Sequence, residues 1–378
     1  MKIIVMGGAG DVGSRCAEDL VATEGVEQVT IADSNMEAAE RVKESCAGSG
    51  AAVDVAMVDA NDHAALVDAM SGHDVAASAL GPFHRFEAKL VAAAVDAGIH
   101  YTSVCDEWNA AQDVMERFHA PAKEKGVVIL SGLGTSPGFT NVGIRYLCDQ
   151  LDEPTEANIY IYQPLNAGGG PAVFKHMFFI MSGKVAVWRD GKLEMIKACS
   201  EKRKVEFPEF GRIKVWNMGH AEPVTVPKFI PQLKTVNFFM GYGKGAELFV
   251  IPSQLNLFDT PKKVDNAVKF VWQIEELAEK LFPEQEPAHG AVRIDVWGKK
   301  DGRTVRKTLC GLGQMREATG LSLSVGTRML LNDELLIDKG QGGVFAPEGC
   351  LEPQKFIVSM RDKGLEGFED IAMTKPIQ

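Results

Sequence analysis

The chain has 378 residues, of which 46% are hydrophobic and 24% are charged, and its 40 basic and 51 acidic residues give a net charge of −11 at pH 7. This length suffices for two domains, and the acidic balance argues against nucleic acid or an anionic membrane as a partner. The seven cysteines are scattered and form no C-x-x-C pair, which is typical of free thiols in a reducing compartment. No apolar run reaches the length of a membrane helix, so we expect a cytoplasmic protein.

Between Lys2 and about Leu130, short β-branched segments such as KIIVM, VTIAD and VVILSG alternate with amphipathic helical patterns. This alternation indicates βαβ units and a parallel sheet. Gly98 and Gly126 stand where two of the helices should end, because glycine readily adopts the left-handed conformation of a C-cap. We predict an α/β protein whose residues 1–150 form a doubly wound, Rossmann-type domain.

After Asp152 the pattern changes to longer alternating runs, such as AVWRDGKLEMIKA and VRIDVWGKKDGRTVRKTLCG, which contain Asp-Gly turns. This is typical of β-hairpins and predicts an α+β domain with a largely antiparallel sheet over residues 151–312. Thr260 is expected to cap an amphipathic helix. The apolar stripe predicted for this helix consists of Val264, Val268, Val271, Ile274, Leu277 and Leu281. Residues 313–378 return to helical patterns.

The segment MKIIVMGGAGDVGSR contains a glycine turn of the form G-x-G-x-x-G directly after the first strand. Such glycines allow a tight turn, close approach of a pyrophosphate, and close packing of helix on strand. Asp33 ends the second strand, where a carboxylate binds ribose hydroxyls and repels a 2′-phosphate, and no arginine follows it, so NAD is favoured over NADP. The predicted cofactor-binding residues here are Gly8, Gly10, Asp11, Val12, Gly13, Asp33 and Ser34. The alternative is a purely structural turn.

The third and fourth strands end in VDAND and ALGPF, at the edge of the sheet where ligands of open α/β folds lie. We expect the first of these loops to flank the adenine and the second to approach the nicotinamide. The cofactor-binding residues predicted in them are Asp59, Ala60, Ala79, Leu80, Gly81 and Pro82. For Gly81–Pro82 a plain turn is the alternative.

The segments GGAGDVG, IAD, ALGPF, AAVDAGIHYTSVCDE, SPGFTN and GGVFAPEGCLEPQKFIVSMRDKGL occur in this order along the chain. In these segments the sequence resembles the saccharopine dehydrogenase-like family of saccharopine reductase and lysine 6-dehydrogenase type. The resemblance implies that residues 313–378 return to the first domain, and that the second domain binds a small-molecule substrate and forms a homodimer.

Members of this family oxidise an amine, or reduce the matching imine, with NAD(P). The resemblance therefore implies action on a C–N bond of an amino acid or a conjugate such as lysine or saccharopine. A reductase of a carbonyl or enoyl group on a lipid-like substrate is an alternative, and so is a dinucleotide-sensing protein without turnover.

Amine oxidation needs a group that tolerates the developing iminium charge and a group that moves a proton. Asp106 and Glu107 end the fifth strand, and we predict Asp106 as catalytic and Glu107 as substrate-binding. Alternatively, one of them caps the following helix, and Cys105 is a weaker candidate nucleophile. In GHAEPVTVP, a predicted loop, His220 is the second catalytic candidate and Glu222 a substrate ligand; a surface histidine without a role is the alternative.

Three cations are candidates for binding a substrate carboxylate: Lys175 and His176 at a predicted helix start, and Arg145. A solvated charge is the ordinary alternative. The sequence contains no H-E-x-x-H motif or Cys/His cluster, so we expect no catalytic metal.

A second glycine turn, VILSGLGTSPGFTN, follows the sixth predicted strand and lacks the G-x-G-x-x-G spacing. We expect Gly134 and Pro137 to contact the cofactor and Ser136, Gly138 and Asn141 to contact the substrate. Either Thr140 or Asn141 is expected to cap the next helix. The two glycine turns would then hold opposite ends of one ligand, the alternative being a structural crossover.

Overall fold

The alternating N-terminal segment folds as the predicted parallel sheet. The computed structural model describes residues 1–164, 171–243, 247–255, 257–258, 260, 262–264, 266–269 and 288–378. The strands of the parallel sheet are β1 (Lys2–Met6), β2 (Gln28–Asp33), β3 (Ala52–Met57), β4 (Val75–Ser78), β5 (His100–Ser103), β6 (Val128–Ser131) and β15 (Gly343–Phe345). Their order is β15-β6-β5-β4-β1-β2-β3, so strand order reverses between β1 and β4, where ligands of such sheets bind.

The helices that connect these strands begin at the carboxyl ends of the strands. They are α1 (Asp11–Val21), α2 (Met36–Ser45), α3 (His63–Met70), α4 (Phe83–Ala97), α5 (Trp108–Lys125) and α6 (Phe139–Cys148). Gly98 and Gly126 end α4 and α5 with φ of +71° and +67°, which confirms both predicted C-caps. The central strands are buried along their length, as expected for a sheet covered on both faces.

The second sheet is mostly antiparallel, as predicted, but one central pair is parallel. Its strands are β7 (Glu153–Tyr162), β8 (Lys184–Arg189), β9 (Lys192–Lys197), β10 (Lys202–Phe207), β11 (Gly211–Asn217), β12 (Thr235–Gly241), β13 (Gly290–Lys300), β14 (Arg303–Gly313) and β16 (Gly367–Phe368). The parallel pair is β7 with β12. Asp190–Gly191 and Asp301–Gly302 have positive φ at both residues, the conformation of tight hairpin turns.

Further helices lie in the second half of the chain. They are α7 (Pro171–Ile180), α8 (Glu222–Phe229), α9 (Glu247–Gln254), α10 (Met315–Leu331), α11 (Pro347–Cys350) and α12 (Pro353–Asp362). Thr260 Oγ1 accepts a hydrogen bond from the Lys263 N–H over 3.4 Å, as expected of a cap, and Val268 is buried. The residues of the predicted stripe that lie outside the described residues are Val271, Ile274, Leu277 and Leu281.

The chain divides into two units. The first comprises Met1–Tyr146, Lys228–Ile230 and Arg316–Leu365, and the second comprises Leu147–Pro227, Pro231–Met315 and Glu366–Gln378. Segment 313–378 is thus not one piece: β15 pairs with β6 in the first unit, whereas β16 pairs with β14 in the second. In the described part of the chain, no helix combines the length and the hydropathy needed to cross a membrane.

Candidate active site

The first glycine turn joins β1 to α1 and includes a glycine that precedes the motif. Gly7 has a φ of +70°, and its N–H donates to the Ala32 carbonyl oxygen over 2.9 Å. A Cβ atom on Gly13 would overlap the Gly7 carbonyl oxygen, and one on Gly8 would lie 2.8 Å from the Val5 carbonyl oxygen. Gly13 therefore permits the predicted close packing, whereas the tight turn depends on Gly7 rather than on Gly8.

Gly10, Asp11 and Val12 form the start of α1. Gly10 is the N-cap residue in an extended conformation, so no side chain occupies the helix end at this position. Unpaired N–H groups and the positive end of the helix dipole make such an end suited to a phosphate. Asp11 carries the only anionic side chain in the first turn of α1. This side chain is 71% exposed.

Asp33 closes β2 next to the same turn. Its Oδ2 accepts a hydrogen bond from the Ala9 N–H over 3.1 Å, and its Oδ1 accepts one from the Asn35 N–H over 2.9 Å. Ser34 is exposed, and the Asn35 side chain caps α2 by accepting from the Ala38 N–H over 3.1 Å. The carboxylate thus lies at the strand end where ribose hydroxyls bind in such folds.

The loop after β3 is held by a side chain of its own. Asp59 Oδ1 accepts hydrogen bonds from the Asn61 N–H and from Asn61 Nδ2, each over 2.9 Å. These bonds lower the pKa of the Asp59 carboxyl. Ala60 is buried, whereas Asp59 is exposed at this edge of the sheet.

The loop after β4 packs against the first glycine turn. The Ala79 N–H donates to the Met6 carbonyl oxygen over 3.0 Å, and Leu80 Cα would lie 3.1 Å from a Cβ on Gly7. Gly81–Pro82 follows as an exposed pair ahead of α4. The first unit therefore brings the predicted cofactor residues of β1 and β4 together.

Glu107 caps a different helix from the one expected. It stands at the N-cap position of α5, which begins at Trp108, but its side chain makes no capping bond there. Instead its Oε2 accepts from the His84 N–H over 2.7 Å and its Oε1 accepts from the Phe83 N–H over 3.2 Å, in the first turn of α4. The neighbouring Asp106 is half-buried. Glu107 thus ties the loop after β5 to the helix after β4.

Glu107 also forms a close pair with the His84 ring. Nδ1 of His84 lies 2.6 Å from Oε2 of Glu107, and the two side chains are 44% and 3% exposed. A histidine held through one ring nitrogen by a buried carboxylate has a defined orientation, which is the arrangement found in bases that transfer protons.

A second buried carboxylate, Glu87, connects the ends of two strands. It accepts hydrogen bonds from the hydroxyls of Tyr101 over 2.9 Å, Ser103 over 2.5 Å and Ser131 over 3.1 Å. Burial raises the pKa of Glu87 to about 7, although these three hydrogen bonds oppose the shift. Burial likewise raises the pKa of the Cys105 thiol well above its ordinary value, which argues against a thiolate nucleophile there.

The glycines of the second turn are needed for its own closure. The Gly134 N–H donates to the Pro137 carbonyl oxygen over 2.6 Å, and the Phe139 N–H donates to the Gly134 carbonyl oxygen over 3.0 Å. Gly138 has a φ of +127°, and a Cβ there would overlap the Gly134 carbonyl oxygen. Contact with a ligand is therefore not required to explain these two glycines.

Asn141 does not cap α6, because it lies inside that helix. Its Nδ2 donates to Oε2 of Glu348 over 2.8 Å, and both side chains are fully buried. Thr140 is also inside the helix, and its hydroxyl donates to Oγ of Ser136 over 3.2 Å. Arg145 lies on α6 as expected, with Nη1 at 3.5 Å from the Glu348 carbonyl oxygen.

In the second unit, His220 and Glu222 are both buried, and only His220 lies in the predicted loop, just before α8. Glu222 begins α8 and is fully buried, which corrects the predicted loop at this residue, and the burial of His220 corrects the alternative of a surface histidine. Nδ1 of His220 lies 2.6 Å from Oε2 of Glu222, and its ring stacks on Phe238 at a centroid distance of 4.0 Å. The segment is helical because Pro223 falls in the first turn, where its missing N–H costs nothing.

Lys175 and His176 lie midway along α7 rather than at its start. Lys175 is exposed, and His176 is half-buried. Lys175, His176, His220 and Glu222 belong to the second unit, and the other predicted site residues belong to the first.

Residues 3–130 match the family model of the saccharopine dehydrogenase NADP binding domain. This match covers about a third of the chain. Its fold is similar to that of saccharopine dehydrogenase (L-Glu forming) from Saccharomyces cerevisiae, with a TM-score of 0.67 and 13% identity over 96% of this chain and 98% of the yeast chain.

Two carboxynorspermidine synthases are similar in sequence. The enzyme of Vibrio cholerae serotype O1 is 24% identical over 262 residues, 62% of each chain. That of Vibrio alginolyticus is 26% identical over 198 residues, 48% of this chain and 46% of the relative. The chain therefore spans about half to three fifths of the length of these relatives.

The residues around the first glycine turn fit a nicotinamide dinucleotide. A Cβ on Gly13 would overlap the Gly7 carbonyl, one on Gly8 would press on Val5, and one on Gly7 would press on Leu80. These glycines thus hold the turn close to its neighbours, and the helix end beyond it has the N–H groups that a pyrophosphate needs. Asp33 offers a carboxylate to the ribose at the adjoining strand end. The first unit thus has the features of a dinucleotide-binding domain.

Several residues near the carboxyl ends of the strands in the first unit were not predicted from the sequence. Gly7 precedes the motif that draws attention to its neighbours. His84 follows Gly81–Pro82 closely, and a polar residue just after a predicted strand end is a usable signal. Glu87 and Glu348 stand within helices, where a carboxylate ordinarily faces solvent, so only the tertiary structure identifies them as buried.

Proposed function

We propose that the protein is an NAD(P)-dependent oxidoreductase that acts on a C–N bond, oxidising an amine or reducing the matching imine of an amino-acid conjugate. The proposal rests chiefly on the dinucleotide cradle of the first unit, adjoined at the ends of β4 and β5 by the carboxylates of Asp106 and Glu107 and by His84. The name of the two Vibrio relatives favours a carboxylated polyamine as the conjugate.

The nicotinamide dinucleotide supplies the hydride acceptor or donor. Before oxidation the substrate amine must lose a proton, and we assign this step to a histidine held by a carboxylate, either His84 with Glu107 or His220 with Glu222. Asp106 is assigned to stabilising the positive charge of the iminium, because a carboxylate fixed near a developing cation lowers the barrier. Arg145, Lys175 and His176 remain candidates for the substrate carboxylate.

We further propose NAD as the preferred cofactor, a homodimer as the assembly, and the cytoplasm as the location. The cofactor preference follows from Asp33, whose charge opposes a 2′-phosphate, and from the uncharged Ser34 and Asn35 that follow it. The matching family model is described as NADP-binding, so the dissociation constants of NADH and NADPH should be measured side by side. NADPH binding tighter than NADH would contradict the preference.

The function is tested by following absorbance at 340 nm in both directions. For oxidation, lysine, saccharopine and carboxylated polyamines are supplied as substrates with NAD or NADP. For reduction, an amine and an aldehyde, one of which bears an α-amino acid group, are mixed to form the imine and supplied with NADH or NADPH. We expect turnover with at least one carboxylated polyamine. Binding of NADH without turnover in any mixture would contradict the proposed reaction.

Variants of His84 and His220 show which of the two histidines transfers the proton. His84→Gln and His220→Gln should each be compared with wild type across pH, and the proton-transfer residue is the one whose loss lowers kcat roughly 100-fold and removes a limb of the pH profile. Asp106→Asn should lower kcat by a similar factor of about 100. His63→Gln is the matched control, because His63 forms an exposed pair with Asp96 at 2.9 Å in the same unit.

A further inference from the structure

The start of α10 lies against the first turns of α1. Arg316 places Nε at 3.2 Å from Oδ1 of Asp11 and Nη2 at 3.1 Å from Oε1 of Glu18, and Nη2 also donates to Oγ of Ser14 over 3.2 Å. Its Nη1 lies 3.1 Å from Oε1 of Glu317. Arg316 is thus surrounded by carboxylates, one of which belongs to the first residue of α1.

The same end of α10 also reaches the second glycine turn. The hydroxyls of Thr319 and Thr135 lie 3.0 Å apart, and Cγ2 of Thr319 would lie 3.4 Å from a Cβ on Gly134. Gly320 packs so closely on α1 that a Cβ there would lie 2.7 Å from Cβ of Arg15. The first turns of α10 are therefore fixed at both glycine turns of the first unit.

This arrangement has an electrostatic consequence for an anionic ligand. The N–H groups at the start of α1 attract a pyrophosphate, but the carboxylate of Asp11 stands at the same helix end and repels one. Glu18 and Glu317 add negative charge nearby. A cation paired with Asp11 offsets that repulsion, and Arg316 occupies this position.

We propose that Arg316 is a positioning residue for dinucleotide binding, which holds and neutralises Asp11 so that the end of α1 accepts the pyrophosphate. The inference rests on the proposed use of NAD(P) and adds a determinant from the C-terminal part of the chain, far in sequence from the G-x-G-x-x-G turn. It concerns affinity for the pyrophosphate, whichever substrate the protein takes.

The test measures the dissociation constants of NADH and of ADP-ribose directly, by fluorescence or calorimetry, at low and moderate salt. Arg316→Gln should weaken both ligands on the order of tenfold, about 1.4 kcal/mol. Asp11→Asn removes the repelling carboxylate and should tighten binding of both ligands, and the double variant Asp11→Asn with Arg316→Gln should return close to wild type. Arg328→Gln is the matched control, because Arg328 lies near the other end of α10 and pairs at 3.1 Å with Glu334, just beyond that helix.

The outcomes separate the two ideas. If wild type binds neither NADH nor NADPH, the proposed function fails. If wild type binds and Arg316→Gln binds equally well, the role of Arg316 is wrong. If Arg316→Gln is weak and the double variant stays equally weak, Arg316 acts through packing rather than through the charge of Asp11, and the inference is overturned.

Discussion

Each unit of the protein contains a histidine paired with a glutamate through Nδ1, and both pairs have a separation of 2.6 Å. They differ in burial: in the first unit His84 is 44% exposed beside a buried Glu107, whereas in the second unit His220 and Glu222 are 5% and 0% exposed. A pair shut away from water contributes mainly to the structure, because either partner alone would be costly to bury. A pair with an open histidine costs little to break and leaves its imidazole in reach of solvent and ligand.

The largest expected effect on stability comes from removing the carboxylate of Glu222, whose histidine partner is also buried. Glu222→Ala leaves His220 buried beside Phe238 without its carboxylate, and we expect a loss of about 3 kcal/mol in the free energy of unfolding. Glu107→Ala removes a cap of α4 and should cost less, about 0.5 to 2 kcal/mol. Urea unfolding at neutral pH measures both.

Equal losses for Glu222→Ala and Glu107→Ala would show that burial does not distinguish the two pairs. A change in the slope of the urea transition would point instead to a change in the amount of surface exposed on unfolding. Glu153→Ala, which breaks an exposed pair with Lys299 in the second unit, is a suitable control with a small expected loss.

The second effect comes from Glu87, which is fully buried in the first unit. Burial raises its pKa in the folded protein from its ordinary value of 4.5 to about 7, so the folded protein keeps a proton that the unfolded chain loses. Its contribution to stability is therefore present below pH 4.5 and is lost as the pH rises to about 7. Over this window wild type should lose about 3 kcal/mol relative to Glu87→Gln.

Urea unfolding at several pH values between about 4 and 8 tests this expectation. A Glu87→Gln variant with the same pH dependence as wild type would contradict it. Glu87→Leu serves as a second comparison, because it removes the titration together with the hydrogen bonds to the hydroxyls of Tyr101, Ser103 and Ser131.

The smallest effect on stability should come from the open histidine itself. His84→Gln should change the free energy of unfolding by less than about 0.5 kcal/mol, because the imidazole is 44% exposed and Glu107 keeps its hydrogen bonds from the Phe83 and His84 N–H groups. His220→Gln should cost more, about 1 to 3 kcal/mol, because it leaves a buried carboxylate without its partner. Thermal and urea unfolding of the two variants measure the difference. If His84→Gln proved the more destabilising change, the distinction between an open and a structural pair would be wrong.

The predictions that proved correct depend on signals contained in short segments. The turn from β1 to α1 and the end of β2 at Asp33 could be predicted because strand, glycines and helix follow one another within about thirty residues. The Asp190–Gly191 and Asp301–Gly302 hairpins have the same origin, since two adjoining residues determine the turn.

The two errors have different physical causes, one in distant pairing and one in a local signal. β15 has only three residues, too few to show a periodic pattern, and it exists because it pairs with β6, more than two hundred residues earlier. The helix at Glu222 was misread as a loop because Pro223 and Pro227 suggest irregular structure, although Pro223 lies in its first turn.

The sequence by itself determined the alternation of strands and helices, the dinucleotide turn and the family resemblance, because each depends on spacing along the chain. Only the tertiary structure decided that Glu107 caps α4 and holds His84, that Glu348 is buried against Asn141, and that Arg316 pairs with Asp11. These contacts join residues that are distant along the chain. Whether a carboxylate is paired or solvated depends on what the fold places beside it, and no local pattern contains that information.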